Sequence, residues 1–329
     1  MSTARPNKVP ALPPAPAVQV ARELELVEER IAGLLRSRES RLTDISTYLI
    51  NSGGKRVRPA VTILIYRACG GEDHRDIVDV AVALELIHSA SLLHDDIIDG
   101  SSIRRGRDSA LQKYGIAETL VTGDFLFSRA FQICGRFDER LIDWAAQACV
   151  SLTEGEIMQG RFRHNPSVTL DDYFEIITCK TASLFEAGAR TAAHLAGASE
   201  ATVDRIAECG LHVGLTFQMI DDLLDITAAQ KDLGKPIGLD LRDGNPSLPI
   251  VLALEANKQV AALFRNDTLS EDGFGALLRL LRQPLLVKKG YDLATQHALR
   301  AREQLAHLPG SEYRETLLAL VDQLVDRGC

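Results

Sequence analysis

An all-α fold is the architecture that the 329-residue sequence predicts, on three observations. Apolar residues recur at helical spacing almost without interruption, as in the stripe Val20, Leu24, Val27, Ile31, Leu34 and Leu35. Period-two alternation of the strand kind is scarce. Gly, Pro, Asn and Asp cluster where turns would separate helices of about 10 to 28 residues. In chain order, residues 1–17 hold Pro6, Pro10, Pro13, Pro14 and Pro16, a composition that favours an extended or disordered tail. Residues 18–329 are expected to form one helical domain. Breaks are expected at Asn51 to Lys55, Cys69 to Arg75, Gly100 to Arg107, Arg163 to Val168, Gly197 to Glu200, Lys231 to Asn245, and around Pro284 and Pro309. Ten or more helices fit between them, and no solenoid period stands out.

The composition is that of a soluble globular chain, 46% hydrophobic and 25% charged. A net charge of -8 with no broad basic face argues against nucleic acid as a partner. The six cysteines, Cys69, Cys134, Cys149, Cys179, Cys209 and Cys329, are scattered without a CxxC pair, as expected of reduced thiols. No charged start precedes an apolar leader and no apolar run approaches ~18 residues, so no transmembrane segment and a cytoplasmic location are expected.

"LLHDDIIDGS" places Asp95, Asp96 and Asp99 within five residues, and "MIDDLLDIT" repeats the spacing with Asp221, Asp222 and Asp225. On a helix Asp95 and Asp99 share a face, with Asp96 about 100° round; Asp221 and Asp225 repeat that geometry. One such cluster can be a solvated acidic face, but each of these follows a largely apolar approach. A buried, unpaired carboxylate is costly, and a hard dication offsets that cost. Mg²⁺ is the natural candidate, because it is usually held by one or two carboxylates plus substrate phosphates. The clusters therefore predict a polyanionic substrate reached through metal.

Cations stand nearby. "NSGGKRVRPA" supplies Lys55, Arg56 and Arg58 beside two glycines, and "SIRRGR" places Arg104 and Arg105 just after the first cluster. Arg offers a bidentate fork for phosphate and Lys a mobile point charge. His88 lies seven residues before Asp95, about 10 Å back on nearly the same face. Lys180 in "CKTASLF" and Lys235 in "GKPIG" add further positive charge.

With these residues assembled, the chain resembles the all-trans polyprenyl diphosphate synthases from about residue 20 onward. "GGKRVRP", "HSASLLHDDIIDGSSIRRG", "GDFLF", "GEIMQ", "KTASLF", "FQMIDDLLDI" and "LGKPIGLDL" stand in that family's order and approximate spacing. The resemblance implies a bundle of antiparallel helices around a deep central cavity, commonly a homodimer, that condenses isopentenyl diphosphate onto an allylic diphosphate. It also implies Mg²⁺, three ions once substrate is bound. By position, Asp95, Asp99 and Asp221 resemble the metal ligands, and Asp96, Asp222 and Asp225 support them. Arg104, Lys180 and Lys235 would contact the allylic diphosphate. Lys55, Arg58, His88 and Arg105 resemble the isopentenyl diphosphate pocket, while Thr181 and Gln218 would line the reaction centre. In "RDGNPSLP", Asn245 and Ser247 replace the more usual Lys and Thr, so no role is carried onto that loop.

Residues four and five before Asp95 are Ser91 and Ala90, one turn deeper along the expected tunnel wall. Bulky aromatics there accompany short products in this family, so these small residues predict a long product, about C40 to C50, of the quinone side-chain kind. Such a product would leave by transient contact with lipid. Three other readings are a shorter-chain farnesyl or geranylgeranyl diphosphate synthase, a class I terpene cyclase, and a non-catalytic subunit regulating a partner synthase. The complete second cluster and the retained Lys55, Arg58 and Arg105 disfavour the cyclase.

Overall fold

The computed structural model describes residues 19–54, 56–227 and 237–326. Lys55, Lys235, Cys329 and the Pro-rich segment of residues 1–17 lie outside the described residues. The remainder is helical apart from one small hairpin, as the 3.6-residue periodicity predicts.

The first helices are α1 (Ala21–Leu34), α2 (Ser40–Ile50) and α3 (Val57–Ala68), followed by the long α4 (His74–Ile98). Asp73 caps α4, its side chain accepting from the Arg75 backbone N–H. Residues Ile77 to Ile87 of α4 are buried without a break, so this helix lies inside the bundle. It is the one described helix long and apolar enough to cross a membrane, but 78% of the qualifying window is buried within the fold. Completely burying a side chain such as Ile77, Leu86 or Leu93 contributes about 1.5–3 kcal/mol.

The break at Gly100 to Arg107 is a hairpin of β1 (Ile103–Arg104) and β2 (Arg107–Asp108), paired Ile103 to Asp108 and Arg104 to Arg107. Arg105 and Gly106 form its turn with φ of 52° and 74°, the doubly positive conformation that two-residue hairpins favour. The short α5 (Ala110–Tyr114) precedes α6 (Ile116–Cys134) and α7 (Glu139–Arg161), which Asp138 caps. α8 (Leu170–Ile177) begins with a capping box between Thr169 and Asp172. It runs through a π-helical turn, Thr178–Ala182, into α9 (Ser183–Leu195).

α10 (Glu200–Thr227) packs against α9 on one side and α15 (Pro284–Leu305) on the other. Between α10 and α15 come α11 (Leu239–Arg242), α12 (Leu248–Ala256), α13 (Lys258–Phe264) and α14 (Glu271–Leu281); α16 (Glu312–Asp326) packs on α15 and α3. Pro284 sits in the first turn of α15, where its missing N–H costs nothing. The largest core cluster surrounds α4, α3 and α9. A second joins α8 to α10 and α12, and a third lies among α11, α12, α13 and α14. The two acidic segments end the two longest helices, α4 and α10.

Candidate active site

One polar pocket, with about 840 Å³ of open space, lies between those helix ends. Asp95 and Asp99 of α4, Asp221 and Asp222 of α10, and Lys180 and Thr181 of the π-turn all line it. The sequence-predicted clusters thus face one hollow.

Within each cluster the carboxylates differ. Burial pushes the Asp95 carboxyl up to about 7; Lys180 opposes the rise, while Glu156 and Asp99 add to it. Lys180 Nζ lies 3.7 Å from Asp95 Oδ2 and is ion-paired to Glu156. Asp96 turns into the protein, fully buried, and accepts from Arg104 Nε at 2.7 Å. Asp99 is the C-cap of α4 and accepts from Arg163 Nη2 at 2.5 Å.

In the second cluster Asp221 is exposed to the pocket. Asp222 is buried and held by three donors: Tyr173 Oη at 2.8 Å, Gln218 Nε2 at 2.8 Å and the Leu248 backbone N–H at 3.0 Å. Burial still pushes its carboxyl up to about 6 against those bonds. Thr181 Oγ1 donates to Gln218 Oε1 at 2.8 Å, so a hydrogen-bonded chain runs from the π-turn to Tyr173. Asp225 is buried one turn on, its Oδ2 accepting from the Asp240 N–H of α11 at 3.3 Å.

The π-turn is what delivers Lys180 and Thr181. A Cβ on Gly155 of α7 would fall 2.6 Å from the Lys180 backbone nitrogen, so only glycine allows this approach. Single π-turns inserted in α-helices are frequent at functional sites, because they re-aim side chains.

Arginines of α3 and the hairpin gather around Glu85 of α4, ten residues before Asp95, and of these arginines only Arg104 lines the polar pocket. Arg56, with φ of 48°, caps α3 and pairs with Glu28 and, at 2.7 Å, with Glu85. Arg58 is partly buried, its guanidinium 4.9 Å above the Phe185 ring. Burial pulls its pKa down to about 10, opposed by Glu85 and Asp221. Burial holds His88 well below the usual imidazole range, reinforced by Arg58, Arg105, Arg104 and Arg56, so it is neutral at pH 7. Glu85 is raised by burial and lowered by Arg56, Arg58 and Arg105. Among the described residues, neither Arg58 nor Arg105 has a carboxylate within ion-pair distance, which leaves positive charge for an incoming anion.

Among the described residues no three His, Cys, Asp or Glu side chains come close enough to enclose a metal ion alone. A site completed by phosphate oxygens is what remains, and that is the usual coordination of Mg²⁺. The donor set fits it: the desolvated Asp95 carboxylate is under-compensated by Lys180, and a dication would relieve it.

Ala90 is fully buried and Ser91 donates to the His88 carbonyl at 2.8 Å; neither lines the polar pocket. Deeper on α4, Ile87, Leu84, Ala83 and Val80 wall a narrow apolar cavity, lined on its other sides by residues of α6, α7 and α9. Ile87 and Val80 are eight and fifteen residues before Asp95, about 12 and 22 Å along the axis. Residues that sequence reasoning passed over are Glu85, Glu156, Arg163, Tyr173, Asp240 and the Asn245 to Ser247 loop, which lines the pocket. A lone acid within an apolar helix stripe was the available signal for Glu85.

The Polyprenyl synthetase family model matches residues 39–280. The octaprenyl diphosphate synthase of Haemophilus influenzae is 34% identical over 311 residues, covering 93% of this chain and 94% of that protein. A geranylgeranyl diphosphate synthase of Methanosarcina mazei is 33% identical, covering 88% of this chain and 91% of that protein. The crystal structure of a Caulobacter crescentus polyprenyl synthase, complexed with calcium and isoprenyl diphosphate, superposes with a TM-score of 0.91 at 32% identity over 98% of this chain and 100% of that one.

Proposed function

The chain belongs to the polyprenyl synthetase family and is a prenyltransferase; from that premise we propose that it condenses isopentenyl diphosphate onto an allylic diphosphate, with Mg²⁺, to a product of about C40 to C50. The observation that carries this reading is the juxtaposition of three surfaces. Carboxylates of two helix ends face one pocket, Arg58 and Arg105 gather around Glu85 of the first helix without an ion-pair partner among the described residues, and an apolar cavity lies on the same helix.

Mg²⁺ at Asp95, Asp99 and Asp221 would neutralise charge developing on the departing diphosphate. Lys180 and Arg104 line the pocket and add fixed positive charge there. Arg58, Arg105 and the neutral His88 offer a second diphosphate its donors, His88 without adding charge. Thr181 and Gln218, tied to Asp222, hold the wall between the sites. The apolar faces of α4, α6 and α9 exclude water from a carbocation and receive the growing tail. The octaprenyl relative favours a long product; the geranylgeranyl relative makes the shorter one the competing outcome.

We also place the enzyme in the cytoplasm as a homodimer. Ile116, Leu120, Val121 and Phe131 of α6 and Ile142, Val150 and Ile157 of α7 are exposed apolar side chains that a second copy would cover. The deciding experiment incubates the purified chain with Mg²⁺, radiolabelled isopentenyl diphosphate and farnesyl diphosphate, then separates products by length. Products of C40 to C50 are expected. Label stopping at C20 would establish the shorter-chain reading, and no incorporation would refute the assignment.

A further inference from the structure

Arg163 is a pocket-side cation that the chemistry above leaves unused. It stands two residues past the end of α7, and its ion pair with Asp99 is mostly shielded, the two side chains being 26% and 14% exposed. Its Nε is buried without an acceptor, so it holds Asp99 through one terminal nitrogen rather than a two-bond fork.

The backbone beside it is clamped. His164 has φ of 53°, a left-handed conformation that costs a side-chain-bearing residue about 1–2 kcal/mol. Its N–H donates to Gly244 O at 2.9 Å and its Nδ1 to Phe264 O at 3.1 Å. The imidazole lies so close to Gly244 that a Cβ there would fall 2.2 Å from Nε2. One turn earlier, Gln159 Nε2 donates to Asn245 Oδ1 at 3.2 Å. The end of α7 is thus fastened to the pocket-lining loop, and Arg163 extends from that fastening onto the first acidic cluster.

We propose that Arg163 is the resident counter-ion of Asp99 and competes with the divalent cation for that carboxylate, setting how tightly the first cluster takes metal. The inference rests on the reading that Asp95 and Asp99 receive metal together with a diphosphate. A carboxylate oxygen that accepts a charge-assisted bond at 2.5 Å offers a metal less of its charge until the guanidinium withdraws. The backbone at His164 stays fixed, so withdrawal is a movement of the Arg163 side chain. Breaking a partly exposed ion pair weakens metal affinity by roughly two- to fivefold. A diphosphate gives the displaced guanidinium a new anion, so the penalty is smaller with phosphate present than for metal alone.

The test titrates the full chain with Mn²⁺ and reads free Mn²⁺ by electron paramagnetic resonance, with and without inorganic pyrophosphate. Arg163→Gln is expected to bind Mn²⁺ alone about two- to fivefold tighter than the unaltered chain, with a smaller gain when pyrophosphate is present. Arg163→Lys, which keeps the charge but loses the planar donor, is expected to give a smaller gain and stands in should the Gln variant not fold. Exposed Arg161 supplies the control, since Arg161→Gln removes the same charge from the same helix end without touching Asp99. Unchanged or weaker binding in the Arg163 variants would overturn the proposal, as would an equal gain from Arg161→Gln. If the unaltered chain binds no Mn²⁺ even with pyrophosphate, the functional reading itself fails, and this proposal with it.

Discussion

Replacing Tyr173 by Phe removes one hydroxyl from the pocket wall and preserves the ring's packing. That hydroxyl donates at 2.8 Å to Asp222, which is 4% exposed. A hydrogen bond to a buried charged group is worth about 1.5–3 kcal/mol, so about 2 kcal/mol is expected here. The loss depends on pH. Asp222 titrates at about 6 in the fold against 3.8 ordinarily. Its ionised form therefore already costs the fold about 3 kcal/mol, a cost absent below pH 3.8 and complete above about 6. Without the Tyr173 donor the carboxyl rises by about one and a half pH units further, since each unit corresponds to about 1.4 kcal/mol. The variant should then be less stable by about 2 kcal/mol at pH 8, about 1 kcal/mol near pH 6.5, and within about 0.5 kcal/mol of the unaltered chain at pH 5. Urea unfolding of both proteins at the three pH values measures this. A cost equal at pH 5 and pH 8 would refute the reasoning, because it would show that the Tyr173 hydroxyl does not favour the ionised form of Asp222.

Three further outcomes follow from the pocket. Asp95, pushed up to about 7, takes up a proton below that pH, so Mg²⁺ affinity measured calorimetrically with pyrophosphate should fall about tenfold per unit below pH 7 and level off above it; affinity flat from pH 6 to 8 would contradict this. Gly155→Ala places a Cβ 2.6 Å from the Lys180 nitrogen, which should cost about 1–3 kcal/mol of stability and reduce turnover by displacing the π-turn; a fully active variant would show that the close approach is dispensable. Ala90→Phe, at a fully buried position one turn below the acidic end, should shorten the product distribution read by chromatography; an unchanged distribution would place the tunnel elsewhere.

The helical class and both acidic clusters were readable because each rests on a local period. The 3.6-residue repeat marks a buried face, and a four-residue interval puts two carboxylates on one side of a helix. What resisted reading depends on geometry without a sequence period. The π-turn at Thr178–Ala182 looks like ordinary helix in "TCKTA", because its one displaced backbone bond changes no residue type. The hairpin strands of Ile103–Arg104 and Arg107–Asp108 are two residues each, too short for alternation to register. Arg163 meets Asp99 across 64 positions, and Tyr173 meets Asp222 across 49, contacts that only the packing of α7 and α8 against the helix ends creates. The Asn245 to Ser247 loop, left without a role by its departure from the family pattern, lines the pocket all the same.

α4 carries the aspartates at its C-terminal end and the wall of the apolar cavity nearer its start, on one largely buried helix. On the function proposed above, the carboxylates that would take the diphosphate and the cavity that would receive the tail therefore belong to one helix. A change repositioning one moves the other by the same amount. On that reading, variants that change product length through α4 backbone shifts are expected to lose rate as well, whereas substitutions on the facing walls at Cys134, Leu141 or Ala187 are expected to change length while the aspartates stay where they are.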